Sequence, residues 1–352
     1  MNNIFAIGLP FLINIILIPI LIFLAHKYSW YDETNHRKIH SGEMPRIGGI
    51  GIFLSVFLGG AAFTLIYGSD IELFFRHTGD FIPLFIGVCI IHFVGLLDDF
   101  ANLRARYKLW IQIGVALMVI FTKNYNSFTY LTFIDSSFLL KGIGFLISFI
   151  WIVGIINSIN LIDGMDGLSG GVSAIAFFFM GLTSLVLGNT IGALLSFLVF
   201  GGVLGFLFYN FPPAKIFMGD SGSLFLGTMA ALLPFYTLSG ASLGYITIIL
   251  AASFLIIPIL DTFSAIIRRI SRNKPFYTPD QDHLHHKLLY CGFRTHSILI
   301  IMYGITAAAS LGVYWRVITR SFLSLFFILL VWIITIGFFF FIDKKFRSLK
   351  AD

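Results

Sequence analysis

Apolar residues run along this chain in blocks far longer than a soluble helix or strand needs, and polar residues collect in the gaps between them. A membrane-spanning helix takes about 20 predominantly apolar residues, within a range near 17–25. Eleven runs meet that measure: 4–25, 47–67, 81–97, 107–123, 141–160, 171–187, 189–208, 221–238, 242–267, 296–315 and 321–342. The fourth is the weakest, because it opens on polar residues and ends at Lys123. The joint at Gly188-Asn189-Thr190 leaves the sixth and seventh runs almost touching. With no low-complexity tract or short repeat between them, the runs predict one transmembrane domain over 1–352, an all-α polytopic integral membrane protein of about 11 helices.

Composition agrees. Hydrophobic residues make up 58% and charged residues 11%, against about 25% charged in a soluble globule, so the surface must face lipid. Only Cys89 and Cys291 are present, which excludes a disulfide framework or a cysteine-based metal site. The first run lacks a basic leader and a small-residue cleavage site, and reads as a retained helix.

Charge sets the orientation, since cytoplasmic loops carry the excess of Lys and Arg. With eleven spans and the N-terminus outside, the odd-numbered loops and the C-terminus share one side, which holds 18 of the 23 basic residues. The other side keeps Arg76, Lys123, Lys141, Arg316 and Arg320. The expected topology is therefore N-terminus outside and C-terminus cytoplasmic, with every polar motif on the cytoplasmic face.

Four polar stretches carry candidate chemistry. The third run ends in "GLLDDFANLRARYK", where Asp98 and Asp99 stand side by side and Lys108 follows. Adjacent carboxylates repel unless a cation lies beside them. The pair reads either as a solvated loop start, with Asp99 paired to Arg104 or Arg106, or as part of a site in which Lys108 meets an anionic ligand. In "NSINLIDGMDGLSGG", Asn157, Asn160, Asp163 and Asp166 recur every third residue among glycines that break a continuous helix. Such oxygen-only groups suit Mg²⁺ or Mn²⁺ and hydroxyl or uracil-like partners; simple turn chemistry is the alternative.

In "NFPPAKIFMGDSGSLFLG", the prolines stop one helix, and Gly219-Asp220-Ser221-Gly222 opens the next. A helix start favours phosphate, and Asp220 suits the metal that phosphate carries; the alternative is an N-cap. The long basic loop holds "DHLHH", with His283, His285 and His286. His283 and His286 are expected on one helix face and His285 elsewhere. Beside arginines they read as an anion-binding wall, because nothing completes a tetrahedral zinc set. His92 is expected to be a satisfied structural histidine. Asp261 lies inside the ninth run without an assigned role.

Taken in order, "RKIHSGEMPRIGGIGIF", "GLLDDFANLRARYK", "NSINLIDGMDGLSGG", "FMGDSGSLFLG" and "DHLHHKLL" cover nearly the whole chain. The sequence resembles the polyprenyl-phosphate N-acetylhexosamine-1-phosphate transferases of glycosyltransferase family 4. "KPFYTPDQDHLHHKL" resembles the WecA/TagO-like branch that starts surface-polysaccharide synthesis, rather than the peptidoglycan-precursor branch, with its "APIHHHFE"-like stretch. The resemblance implies a multi-pass enzyme of the bacterial inner membrane. It would move N-acetylglucosamine-1-phosphate from UDP-N-acetylglucosamine to undecaprenyl phosphate and release UMP, for cell-wall polysaccharide synthesis. Homodimers occur among similar enzymes, and no nucleic-acid partner is implied.

On that reading Mg²⁺, with Mn²⁺ as substitute, is held by Asp220 and one of Asn160 or Asp163. By analogy Asp98 orients or deprotonates the acceptor phosphate, supported by Asp99, with Asp163 also counted among the catalytic carboxylates. Lys108, His283, His285 and His286 hold phosphates; Asn157 and Asp166 contact the nucleotide sugar. An arginine of the 268–287 loop, Arg269 foremost, meets the sugar or its phosphates. Two other readings compete: a phospho-N-acetylmuramoyl-pentapeptide transferase and an ion-coupled transporter. Transport sites belong near the bilayer midplane, whereas these motifs gather at one face.

Overall fold

The computed structural model describes residues 2–31, 44–67, 78–121, 138–238, 246–273 and 282–351. Most of "KPFYTPDQD" lies outside them, as do Arg37 and Lys38 of the first loop. The described residues form thirteen helices: α1 (Asn3–Tyr28), α2 (Gly48–Ile66), α3 (Thr78–Ala101), α4 (Ala105–Ile120), α5 (Phe138–Ile162), α6 (Leu168–Val186) and α7 (Thr190–Asn210). They continue with α8 (Gly219–Leu238), α9 (Ile246–Phe254), α10 (Ile256–Ser271), α11 (Leu284–Tyr290), α12 (Thr295–Thr319) and α13 (Phe322–Ala351). The all-α, multi-pass architecture follows the apolar runs.

Two runs differ from expectation. The described residues hold nine helices long and apolar enough to span a membrane, or ten if one bent pair counts as a span. The fourth run becomes α4, only 16 residues long. At about 1.5 Å per residue that gives roughly 24 Å, short of a hydrocarbon core of about 30 Å. The ninth run is not one straight helix: α9 and α10 meet at 94°. Pro258 lies in the first turn of α10. It has no N–H to offer the carbonyl of Phe254, which ends α9, so one hydrogen bond across the bend is missing.

The core is built around α8. Its apolar window is 94% buried, whereas α1 and α13 are 17% buried and face outward. Helices α2, α3, α5 and α6 pack around it. Close approach depends on missing side chains: a Cβ on Gly49 would lie 2.1 Å from the Gly222 nitrogen. Only glycine lets α2 and α8 come that near.

At the same end the backbone zips the entry of α2 to the entry of α8. Gly48 and Gly49 donate to the carbonyls of Phe217 and Met218 (2.9 and 2.8 Å), and Phe217 donates to Pro45 (2.8 Å). His92 is the satisfied histidine expected of it. It stacks on Phe53 with ring centroids 3.8 Å apart and hydrogen-bonds through Nδ1 to the Ser221 carbonyl at 3.1 Å.

Candidate active site

The site begins with the first turn of α8. Gly219 has φ +73°, and a Cβ there would fall 2.6 Å from a carboxylate oxygen of Asp99. The left-handed turn without a side chain opens the helix start to a carboxylate from α3. Asp99 accepts the backbone N–H of Asp220 at 2.6 Å and of Ser221 at 3.0 Å. Asp99 is therefore the group that meets the free N–H donors of this helix start. The sequence offered that role to Asp220. Asp99 also lies 3.6 Å from Arg46 Nε, where the sequence offered Arg104 or Arg106.

Relieved of capping, Asp220 turns its side chain inward and takes two cations. Arg46 Nη2 donates to Oδ1 at 2.8 Å, and Lys108 Nζ to Oδ2 at 2.7 Å. Lys108 also reaches Asp98 Oδ2 at 2.9 Å. Helices α3, α4 and α8 and the segment before α2 thus meet through one chain of charges, Asp98–Lys108–Asp220–Arg46–Asp99. Arg46 was missed as a site residue. Its signal was present, since "PRIGG" places a lone arginine directly before the glycines that pack on α8.

The turn between α5 and α6 supplies the second wall. Asp163 sits here, its pKa raised to about 7 by desolvation and then by the charge of Asp220, with Asp99 and Asp166 adding and Arg46 opposing. Asn160 accepts a hydrogen bond from Ser223 Oγ of α8 at 3.1 Å. The other two members of the three-residue series turn elsewhere. Asn157 donates to Gln112 of α4 at 2.6 Å, and Asp166 accepts the N–H of Ala214 at 3.1 Å, bracing the segment ahead of α8.

The histidines close the third side. His283 is the extended residue preceding α11, so the i, i+3 face expected with His286 does not form. Instead the His285 ring lies between its neighbours, 4.2 Å from His286 and 6.1 Å from His283. His285 is buried, and its Nε2 would be 2.7 Å from a Cβ on Gly164, so α11 rests directly on the Asp163–Gly164 turn. Burial, then the neighbouring His286, push its pKa down to about 3, leaving it neutral near pH 7.

Asp261 now has a role. Its carboxylate pairs with His283 Nδ1 at 2.8 Å and accepts the N–H of Leu284 at 2.8 Å, fixing both the ring and the start of α11. Arg269 is half-buried in the last turn of α10, and Arg272 pairs with Asp282 at 3.0 Å.

Can these residues hold a divalent metal? Among the described residues no three His, Cys, Asp or Glu side chains form a ready-made cage. The carboxylates are neutralised by Lys108 and Arg46 instead. Yet their chemistry fits Mg²⁺, which takes hard oxygen ligands through one or two carboxylates plus substrate phosphates. Asp98 Oδ1 is buried without a hydrogen-bond partner. Desolvation first, and then the charge of Asp220, raise the pKa of Asp163. A cation brought with a diphosphate would relieve both.

The model of glycosyl transferase family 4 matches residues 81–238, the segment from α3 through α8 that carries Asp98, Asp99, Lys108, Asp163 and Asp220. A Bacillus subtilis (strain 168) protein named "Probable undecaprenyl-phosphate N-acetylglucosaminyl 1-phosphate transferase" is 37% identical over 90% of this chain and 86% of its own length. The Salmonella typhi "Undecaprenyl-phosphate alpha-N-acetylglucosaminyl 1-phosphate transferase" is 29% identical over 83% of this chain and 78% of its own. A Mycobacterium tuberculosis "Decaprenyl-phosphate N-acetylglucosaminephosphotransferase" is 29% identical over 80% and 74%.

Proposed function

Because the chain belongs to glycosyl transferase family 4, we propose that it transfers N-acetylglucosamine-1-phosphate from UDP-N-acetylglucosamine to undecaprenyl phosphate. A phosphate oxygen of the lipid attacks the sugar-bearing β-phosphorus, and the P–O bond to UMP breaks. UMP leaves, and the lipid keeps a pyrophosphate-linked sugar. The observation that carries the reading is the chain of charges around Asp220. It puts two cations and three carboxylates at one end of the bundle, at the start of its most buried helix.

Two anionic substrates repel, and the residues present can offset that. Lys108 and Arg46 are placed to exchange carboxylate partners for phosphate oxygens. Asp98 then orients the acceptor phosphate; a phosphomonoester is largely ionised at pH 7, with a second pKa of about 6, so the task is placement more than deprotonation. The neutral His285 and its neighbours line the donor side, where a ring N–H can donate to the diphosphate. Asp98, Asp163 and Asp220 would hold Mg²⁺, which supplies charge neutralisation and polarisation of the transferred phosphoryl group. The basic loops support a cytoplasmic placement of the site in the bacterial inner membrane.

Purified protein given UDP-N-acetylglucosamine, undecaprenyl phosphate and Mg²⁺ should release UMP in step with lipid-linked sugar. A parallel reaction with UDP-N-acetylmuramoyl-pentapeptide should give far less product. Preference for the pentapeptide donor would overturn the substrate, and no UMP from either donor would overturn the reaction.

A further inference from the structure

Helix α11 carries the histidines, yet it has only seven residues. A helix that short has little stability of its own, so its position is imposed by what it packs against. Asp261 holds its start. Its other end meets the last turns of α13. That helix is 30 residues long, or roughly 45 Å, against a hydrocarbon core of about 30 Å. Its final turns therefore extend beyond the span, at the end where the motifs lie.

One face of that extension grips α11. Lys287, buried at 3% exposure, donates to Asp343. Asp343 is held from its other oxygen by Arg347 at 2.7 Å. One turn on, Phe346 meets the Tyr290 ring edge-on, with centroids 5.1 Å apart. Lys287 Nζ lies 5.9 Å from the Phe346 ring centre. The Tyr290 hydroxyl donates to the Leu349 carbonyl at 3.3 Å. Asp343 and Phe346, three residues apart, are neighbours on the helix surface.

Burial lowers the Lys287 pKa and the hydrogen bond to Asp343 counters it, while nearby Arg268 adds to the lowering. Without Asp343 this ammonium would sit buried beside an arginine, with its hydrogen bond lost and Asp282 the remaining offsetting charge, a situation side chains escape by moving. Lys287 is two residues from His285, whose ring packs on Gly164, so a shift at Lys287 reaches the site.

We propose that Asp343 is a positioning residue for the transfer reaction: through Lys287 it holds the histidine helix against the Asp163–Gly164 turn. The C-terminal helix is then a strut for the donor side of the site. The kinetic part rests on the function proposed above; the structural part does not.

Two measurements separate them. The first needs no substrate: carbethoxylation of His285 and His286 by diethylpyrocarbonate, followed by mass spectrometry in wild type, Asp343→Asn, Asp343→Glu and Lys287→Met. The histidines should react several-fold faster in Asp343→Asn and Lys287→Met, and at close to the wild-type rate in Asp343→Glu. The second is steady-state kinetics, where Asp343→Asn should raise the KM for UDP-N-acetylglucosamine roughly 10- to 100-fold, the scale of a small misplacement, with a smaller change in kcat. In a Lys287→Met background, Asp343→Asn should add almost nothing, as expected when one residue acts through the other. Unchanged carbethoxylation in both Asp343→Asn and Lys287→Met would overturn the strut, as would additive kinetic effects of the two substitutions. If wild type transfers no sugar phosphate, the proposed function fails, and the carbethoxylation rates still decide the strut.

Discussion

The carboxylate cluster at the start of α8 and the histidine helix α11 meet at the same α5–α6 turn, but they are held in place by different means. The cluster is over-determined. Asp220 sits on the most buried helix, receives two cations, and has its backbone N–H fixed by Asp99. The histidine helix depends on two single carboxylates from outside, Asp261 on α10 and Asp343 on α13. A site built this way has a rigid half and a half whose position can be lost by one substitution. The rigid half suits binding of metal and phosphate. The other half suits recognition of the part of the donor that differs between substrates.

The largest effect should come from the rigid half. Asp220→Asn removes the charge that organises Lys108 and Arg46, and turnover should fall on the order of 10³-fold, comparable to losing a principal electrostatic group. The protein should stay folded, because Asn still accepts hydrogen bonds, and residual activity should need more Mg²⁺. Near-normal turnover with an unaltered Mg²⁺ titration would remove Asp220 from the chemistry.

Asp261→Ala tests the other half. It leaves His283 without its partner and the α11 start without its acceptor, and kcat/KM should drop about 10- to 100-fold, the usual scale for a residue orienting another. Asp261→Asn should be milder, since it can still accept the Leu284 N–H. Equal losses in both variants would mean that charge, not placement, is what Asp261 supplies.

A smaller effect is expected from pH. Asp163 has its pKa raised to about 7, so its carboxyl gains a proton as pH falls through neutrality. The ionised form is the one that serves a metal, so activity at limiting Mg²⁺ should rise from pH 6 to pH 8. The Mg²⁺ concentration for half-maximal rate should fall by about tenfold per unit on the acid side, following the ionised fraction. In Asp163→Asn this slope should disappear. A Mg²⁺ requirement independent of pH in wild type would separate Asp163 from the metal.

The smallest effect belongs far from both halves. Asn189 caps α7 through the N–H of Gly192 at 2.9 Å. Asn189 also donates to the Tyr236 carbonyl near the far end of α8, so Asn189→Ala should cost about 1–2 kcal/mol, a lost N-cap and one hydrogen bond more, seen as a lower melting temperature of the detergent-solubilised protein with kcat unchanged. A catalytic loss from this remote change would show that the two halves are less independent than their contacts suggest.

The sequence by itself determined the architecture and the chemistry on offer. Long apolar runs with 11% charge leave no option but lipid-facing helices, because burial of a backbone in hydrocarbon requires its hydrogen bonds to be met internally. Of the polar residues left over, Asp98, Asp99, Lys108 and Asp220 come together at one helix start, whereas Asn157 and Asp166 turn to other partners. What it could not determine was which of them face one another. Asp99 and Asp220 are 121 positions apart, Lys287 and Asp343 are 56, and no local periodicity relates either pair. The three-residue spacing of Asn157, Asn160, Asp163 and Asp166 suggested one shared polar wall for metal and nucleotide sugar, but a broken helix sends them to different neighbours. Likewise, which aspartate caps α8, why Asp261 tolerates burial, and where the ninth run bends were decided only when the helices packed. A buried charge takes whichever partner the fold brings within hydrogen-bonding distance, and that distance is a tertiary quantity.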